Sequence, residues 1–212
     1  MTTLEFFFDC SSPWTYIGFH NVRKLSARLD VPIIWKPIIV GGVFNKVNKG
    51  VYEFRERVEE SPVKAAYIRK DMADWARHAG LTLNFPPKCG HPVNAVKCMR
   101  ACLFLAPEGK LVDFATAAFE ALWIDGLNLG DDDVLEDICR KIGVDSDRVL
   151  KAVKSDEMRA ALYAVTEELM DRGGFGSPTF FVDRAEMFFG NDRLPLVESA
   201  LQRSLRASRE TT

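Results

Sequence analysis

Strand-type patterning in this chain is confined to its two ends, with a long helical stretch between them. Leu4–Phe8 is a short apolar run rich in aromatics and reads as a buried strand. Asp9-Cys10-Ser11-Ser12-Pro13 breaks it, and the period then changes. Trp14, Gly18, Val22, Leu25 and Leu29 recur at steps of three or four, one face of a helix. Ser12 stands where an N-cap belongs, and Pro13 at the first helical position, where a missing N–H costs nothing. Asp30 ends that helix, and Ile33-Ile34-Trp35 reads as a second strand. At the other end, Thr179-Phe180-Phe181-Val182 and Glu186-Met187-Phe188-Phe189 form a hairpin around Asp183-Arg184. Gly190, Asn191 and Asp192 make a turn with Asp192 as N-cap, and Leu194, Val197, Leu201 and Leu205 mark a last amphipathic helix. Residues 207–212 are expected to fray.

The middle of the chain has no strand pattern. Residues 41–60 lack a clear period and read as loop or irregular structure. Ser61-Pro62 repeats the cap-and-first-position signal, and Ile68, Met72, Trp75 and Ala79 form a stripe that Gly80 ends. Residues 81–89 contain Pro86-Pro87 and read as loop. A buried helix is expected over 92–106, with further helices over 111–123, 132–142 and 147–170. The order is therefore β-α-β, a helical block, then β-β-α. The first half demands a parallel pair with a right-handed crossover, and the hairpin is antiparallel. The expected fold class is α/β: a thioredoxin-like, four-stranded mixed sheet with an all-helical insertion. Residues 1–40 and 173–212 would form the thioredoxin-like domain, and 41–172 the insertion.

Composition bounds the function. Thirty acidic residues face 28 basic ones for a net charge of −2, and no basic stripe stands out, so nucleic acid is not an expected partner. No apolar run approaches the ~18 residues of a membrane span. The N-terminus has no basic region before Glu5 and does not read as a signal peptide. The five cysteines include no C-x-x-C and no zinc spacing, which points to free thiols in a reducing, cytoplasmic setting.

Two motifs could carry chemistry. Ser12-Pro13-Trp14-Thr15 lies at a strand-to-helix turn, where unpaired N–H groups and the positive end of the helix dipole converge. Such a place stabilises a thiolate. The pattern here is S-x-x-T, so dithiol redox chemistry is lost. A serine hydroxyl can instead donate a hydrogen bond to the sulfur of a bound thiol cofactor, and glutathione suits the role. Taken alone, Ser12 also reads as an ordinary N-cap worth ~1 kcal/mol. The second motif is Gly176-Ser177-Pro178-Thr179. A proline opening a strand at this point of a thioredoxin-like sheet is expected to be cis and to face the active-site helix. It would leave the Ser177 backbone to pair with an extended peptide, which suits a tripeptide. A trans proline starting a strand is the plainer alternative.

Four segments carry a family resemblance. They are Phe7-Phe8-Asp9-Cys10-Ser11-Ser12-Pro13-Trp14-Thr15-Tyr16, Ser61-Pro62-Val63-Lys64-Ala65-Ala66-Tyr67, Phe175-Gly176-Ser177-Pro178-Thr179-Phe180-Phe181-Val182 and Met187-Phe188-Phe189-Gly190-Asn191-Asp192-Arg193-Leu194. In that order they resemble the 2-hydroxychromene-2-carboxylate isomerase family, a glutathione-dependent branch of the thioredoxin-like superfamily. The kappa-class glutathione transferases and bacterial disulfide oxidases are its relatives. The resemblance implies that Ser12 activates the glutathione sulfur. Ser177 and Pro178 would clamp the peptide, and Asn191 and Asp192 would hold its γ-glutamyl end. It also implies a homodimer and a small aromatic substrate. Ser177 departs from the family's usual apolar residue before the proline, and residues 44–50 match only loosely.

For the substrate, Asn48 is suggested by that loosely matching loop. Lys64 extends the stripe of its helix and either snorkels outward or offers a cation to a carboxylate. Trp14, Tyr16 and Phe44 are expected as a pocket wall for a flat ring. The implied reaction is isomerisation by reversible thiolate addition. The alternatives are a kappa-like transferase and a non-catalytic peptide-binding module. A dithiol oxidoreductase would need Cys10 to replace the missing pair. Cys98 and Cys102, four apart, read as core, Asp131-Asp132-Asp133 as a helix start, His20 as solvated, and His78 and His91 as isolated.

Overall fold

The structure is a computed structural model and describes residues 2–210. It begins β1 (Leu4–Phe8), α1 (Pro13–Leu29) and β2 (Ile33–Pro37). Eight α-helices follow: α2 (Val40–Val47), α3 (Gly50–Glu59), α4 (Pro62–Ala79), α5 (Val96–Leu105), α6 (Leu111–Glu120), α7 (Asp132–Lys141), α8 (Ser146–Val153) and α9 (Asp156–Asp171). β3 (Thr179–Val182), β4 (Glu186–Phe189) and α10 (Leu194–Glu210) close the chain. The strands form one sheet in the order β2-β1-β3-β4. β1 runs parallel to β2, with Leu4 opposite Ile33, and antiparallel to β3, with Leu4 opposite Val182. This is the thioredoxin-like mixed sheet that the sequence order demands. No described helix is long and apolar enough to cross a membrane.

β1 is apolar almost throughout because both of its faces are covered. Successive side chains point to opposite faces. Leu4, Phe6 and Phe8 enter the large core with α1 and the inserted helices, while Phe7 joins Phe181, Ile38 and Leu169 on the other side. Phe6 lies 5.0 Å from Phe180, is nearly parallel to Phe8 and meets Trp35 edge-on. Glu5 shares the Phe7 face and is 1% exposed. A carboxylate is tolerated there because Arg172 grips it, with Nη1 donating at 3.2 Å. The same guanidinium covers the Phe181 ring at 3.8 Å.

Four local expectations change. Residues 41–60 are helical: α2 docks Val40 and Val43, and α3 has no buried residue among its described side chains. An α3 made of Glu, Arg and apolar residues on all sides leaves no stripe for a periodicity test to detect. Its propensity and local pairs such as Arg57 with Glu53 at 3.8 Å support it instead. The stretch over 147–170 is two helices, because Ser155 caps α9 by accepting from the Met158 N–H at 3.2 Å. Residues 207–210 continue α10, whereas Thr211 and Thr212 lie outside the described residues. Asp192 belongs to a short 3-10 turn, and its carboxylate pairs with Arg193. The expected hairpin turn is present, with Asp183 and Arg184 at φ 51° and 60° and Ala185 N–H donating to Val182 O at 3.1 Å.

Phe6 packs against four other rings with no exposure. Phe6→Ala is expected to cost about 3–5 kcal/mol, read as a lower midpoint in guanidinium denaturation with an unchanged slope.

Candidate active site

The β1–α1 turn is fixed residue by residue. Buried Asp9 accepts from the Ser11 N–H and Oγ–H through one carboxylate oxygen and from the Val40 N–H through the other, each at 2.8 Å. Burial pushes its carboxyl above the usual carboxylate range, against the pull of those three bonds. The Cys10 carbonyl accepts from Trp123 Nε1 at 3.0 Å, and the Cys10 N–H points at Met99 Sδ at 3.4 Å. His91 Nε2 lies 3.3 Å from the Ser11 carbonyl. Ser12 then caps α1 in extended geometry, its Oγ accepting from the Thr15 N–H at 3.2 Å. Its side chain is only half-buried. The hydroxyl proton is directed at the Ser177 carbonyl at 3.5 Å, the outer limit of a hydrogen bond. A hydroxyl so placed can turn to another acceptor at the positive end of α1.

The second motif meets the first across the sheet. The Ser177–Pro178 bond is cis. Ser177 Oγ accepts from the Asp9 N–H at 3.2 Å and shares a 2.7 Å hydrogen bond with Thr15 Oγ1. Ser177 is therefore polar for a reason: it satisfies a buried threonine and a backbone donor from the other end of the chain. Pro178 packs onto α1 at Gly18, where an added Cβ would come within 3.1 Å of the proline ring. That same Cβ would lie 3.7 Å from Asn191 Cβ, so Asn191 lines this side of α1. Asn191 is 5% exposed, and its Oδ1 has no donor among the described residues. A buried acceptor without a partner is costly unless a ligand supplies one.

A half-buried hydroxyl on a helix N-terminus thus faces a cis-proline beside a mixed four-stranded sheet. Family comparison agrees with the geometry: residues 3–202 match the model of the DSBA-like thioredoxin domain. The chain belongs to that family. It is 29% identical to 2-hydroxychromene-2-carboxylate isomerase of Sphingobium xenophagum, over 94% of this chain and 97% of the relative. It is also 24% identical to glutathione S-transferase kappa 2 of Caenorhabditis elegans, over 93% and 91%. A solved structure of a 2-hydroxychromene-2-carboxylate isomerase superposes with a TM-score of 0.83 at 24% identity, covering 99% of each chain.

Within this DSBA-like domain the expected site residues divide. Ser12, Ser177, Pro178 and Asn191 come together. Asp192 is adjacent but exposed and engaged with Arg193. Asn48 joins the group indirectly, its Nδ2 donating to the Phe175 carbonyl at 3.0 Å. Lys64 is exposed on α4. Trp14 packs with Trp75, Leu81 and Leu83 around Ile17, Ala76 and Ala79, at the α1–α4 contact. Tyr16 is not a pocket wall: it is buried and stacks on Phe119 at 5.3 Å. Burial and the Glu120 charge push its hydroxyl up to about 12. Phe44 is partly buried, with the Arg55 guanidinium over its ring at 5.4 Å. Cys10 is fully buried, and burial holds its thiol well above the ordinary thiol range, so it does not replace the missing C-x-x-C.

Sequence reading missed Asp9, His91 and Arg55. His91 is not isolated: it packs against Phe85 and Trp123 and borders the Ser12 turn. His20 is half-buried rather than solvated. Only Asp9 carried a local signal, an Asx-type pattern in Asp9-Cys10-Ser11. His91 reaches the Ser12 turn through the fold, and Arg55 lies over the Phe44 ring.

Two predictions follow from this network. Ser177→Ala strands the Thr15 hydroxyl and the Asp9 N–H, and a loss of about 1–3 kcal/mol is expected in urea titrations. Burial holds His91 below its ordinary pKa, with the Arg55 charge adding to the effect and the Ser11 carbonyl opposing it. Between that depressed value and 6.5 the unfolded chain binds more protons than the folded one, so acidification through this window removes stability. His91→Phe keeps a ring in place and removes the proton, and its urea midpoint should fall less than wild type between pH 7 and 5.

Proposed function

We propose that the protein is a glutathione-dependent isomerase acting on 2-hydroxychromene-2-carboxylate-type aromatic acids. One observation carries this reading: a half-buried serine hydroxyl, in place of a cysteine pair, stands on the α1 N-terminus against the cis Ser177–Pro178 bond. The names of the similar proteins support it. The residues present also fit a tripeptide. The Ser177–Pro178 segment offers backbone for an extended peptide, and Asn191 Oδ1 is an unused buried acceptor for an ammonium N–H.

Bound glutathione would supply the nucleophilic sulfur for reversible addition to the ring. Ser12 would turn its O–H from the distant Ser177 carbonyl toward that sulfur, and the α1 dipole would favour the anion. Thr15 N–H, already bonded to Ser12 Oγ, holds the hydroxyl in place. Asp192 would exchange Arg193 for the γ-glutamyl ammonium. Phe44 and Trp14 would offer apolar surface to an aromatic ring, and Asn48 follows Phe44 at the end of α2. For the substrate carboxylate the candidates are Lys64 and Arg55.

The test pairs calorimetric titration of glutathione with an assay of 2-hydroxychromene-2-carboxylate turnover. Wild type should bind glutathione and turn over substrate while returning the cofactor. Ser12→Ala should bind it nearly as well but lose about 10²–10³-fold in kcat, the scale of one removed transition-state donor. Full turnover in Ser12→Ala would overturn the role of the hydroxyl. Similarity to kappa-class transferases makes conjugation the second reading. Net consumption of glutathione would favour it, and no glutathione affinity at all would leave a peptide-binding module.

A further inference from the structure

We propose that Cys10, Cys98 and Cys102 form a buried binding site for one soft monovalent cation of the copper(I) class. The sulfurs come from distant parts of the chain. Cys10 ends the β1 side of the active-site turn, and Cys98 and Cys102 lie one turn apart on the same face of α5. All three Sγ atoms lie within 4.8 Å of one another, and all three residues have no solvent exposure. They are free thiols. Cys139 is also buried but stands outside this group, so clustering is not a general property of cysteine in this core.

The donor set selects the ion. Thiol and thiolate sulfur favours copper(I), zinc and iron–sulfur clusters. Structural zinc takes four ligands, and the cluster contains three. The nearby carboxylate, Asp9, has both oxygens engaged by Ser11 and Val40. Met99 Sδ, a soft atom as well, faces the Cys10 N–H at 3.4 Å. An all-sulfur, three-donor site suits an ion that is content with three sulfur ligands. Copper(I) is bound by thiolate sulfur, so binding deprotonates the coordinating thiols, releases their protons to solvent and moves no electrons.

The site lies directly under the turn that presents Ser12, two residues from Cys10. Occupancy would tie the end of β1 to α5 beneath that turn. This inference is independent of the proposed isomerase activity.

The test uses the reduced full-length protein under anaerobic conditions, titrated with copper(I) delivered from a chromophoric copper(I) chelator. Wild type should withdraw one equivalent per chain with a near-ultraviolet sulfur-to-copper band. The C89S/C139S double variant should do the same. Cys10→Ser, Cys98→Ser and Cys102→Ser should each weaken binding by more than about 100-fold, beyond the loss of an outer-shell partner. Failure of the folded wild type to take copper from the chelator overturns the site, as does wild-type affinity in Cys10→Ser or loss of binding in C89S/C139S. X-ray absorption on loaded wild type needs no variant to fold: three sulfur neighbours support the site, and nitrogen or oxygen neighbours overturn it.

Discussion

The pairing of β1 with β3 joins residues 4–7 to residues 179–182, and the site exists because of it. The ladder brings the Ser12 turn against the Ser177–Pro178 bond. The Thr15–Ser177 hydroxyl pair and the Asp9–Ser177 bond then lock the two ends together at side-chain level. The inserted helices serve this contact from both sides. Phe19 of α1 packs on Phe6 and Phe8 in the core that α5 and α6 share, and Leu169 of α9 joins Phe7 on the other face. Arg172, in the turn after α9, neutralises the one charge that β1 buries, Glu5.

The turn itself is held by polar groups in a dry place. Asp9 stitches Ser11 and Val40, so the start of α1 and the start of α2 share one carboxyl group. Trp123 and His91 hold the next two carbonyls from the insertion. Buried polar networks of this kind specify geometry because any unmade bond is costly. The one hydroxyl they leave weakly committed is that of Ser12.

Much of the fold could be read from residue order, because its signals are local. Ser12-Pro13, Asp30, Ser61-Pro62, Gly80 and Asp183-Arg184 each set a boundary or turn through their own backbone chemistry. Periodicity failed at α3, a helix without a buried stripe, and at Lys154-Ser155, where a cap divides one apolar period into two helices. Tyr16 was misplaced because Phe119, 103 positions later, decides which way its ring is used.

By itself the sequence determined the strands, most of the helices, the mixed sheet, and the absence of a cysteine pair at the start of α1. Caps, periods and residue types act within a few positions, so they survive without a fold. Tertiary structure decided which groups the hydroxyl meets. It joined Thr15 to Ser177, brought His91 to the Ser11 carbonyl, left Asn191 Oδ1 without a donor among the described residues and gathered three thiols beneath the turn. Those relations span tens to more than a hundred residues. Only packing, which brings distant segments within a few ångströms, can create them.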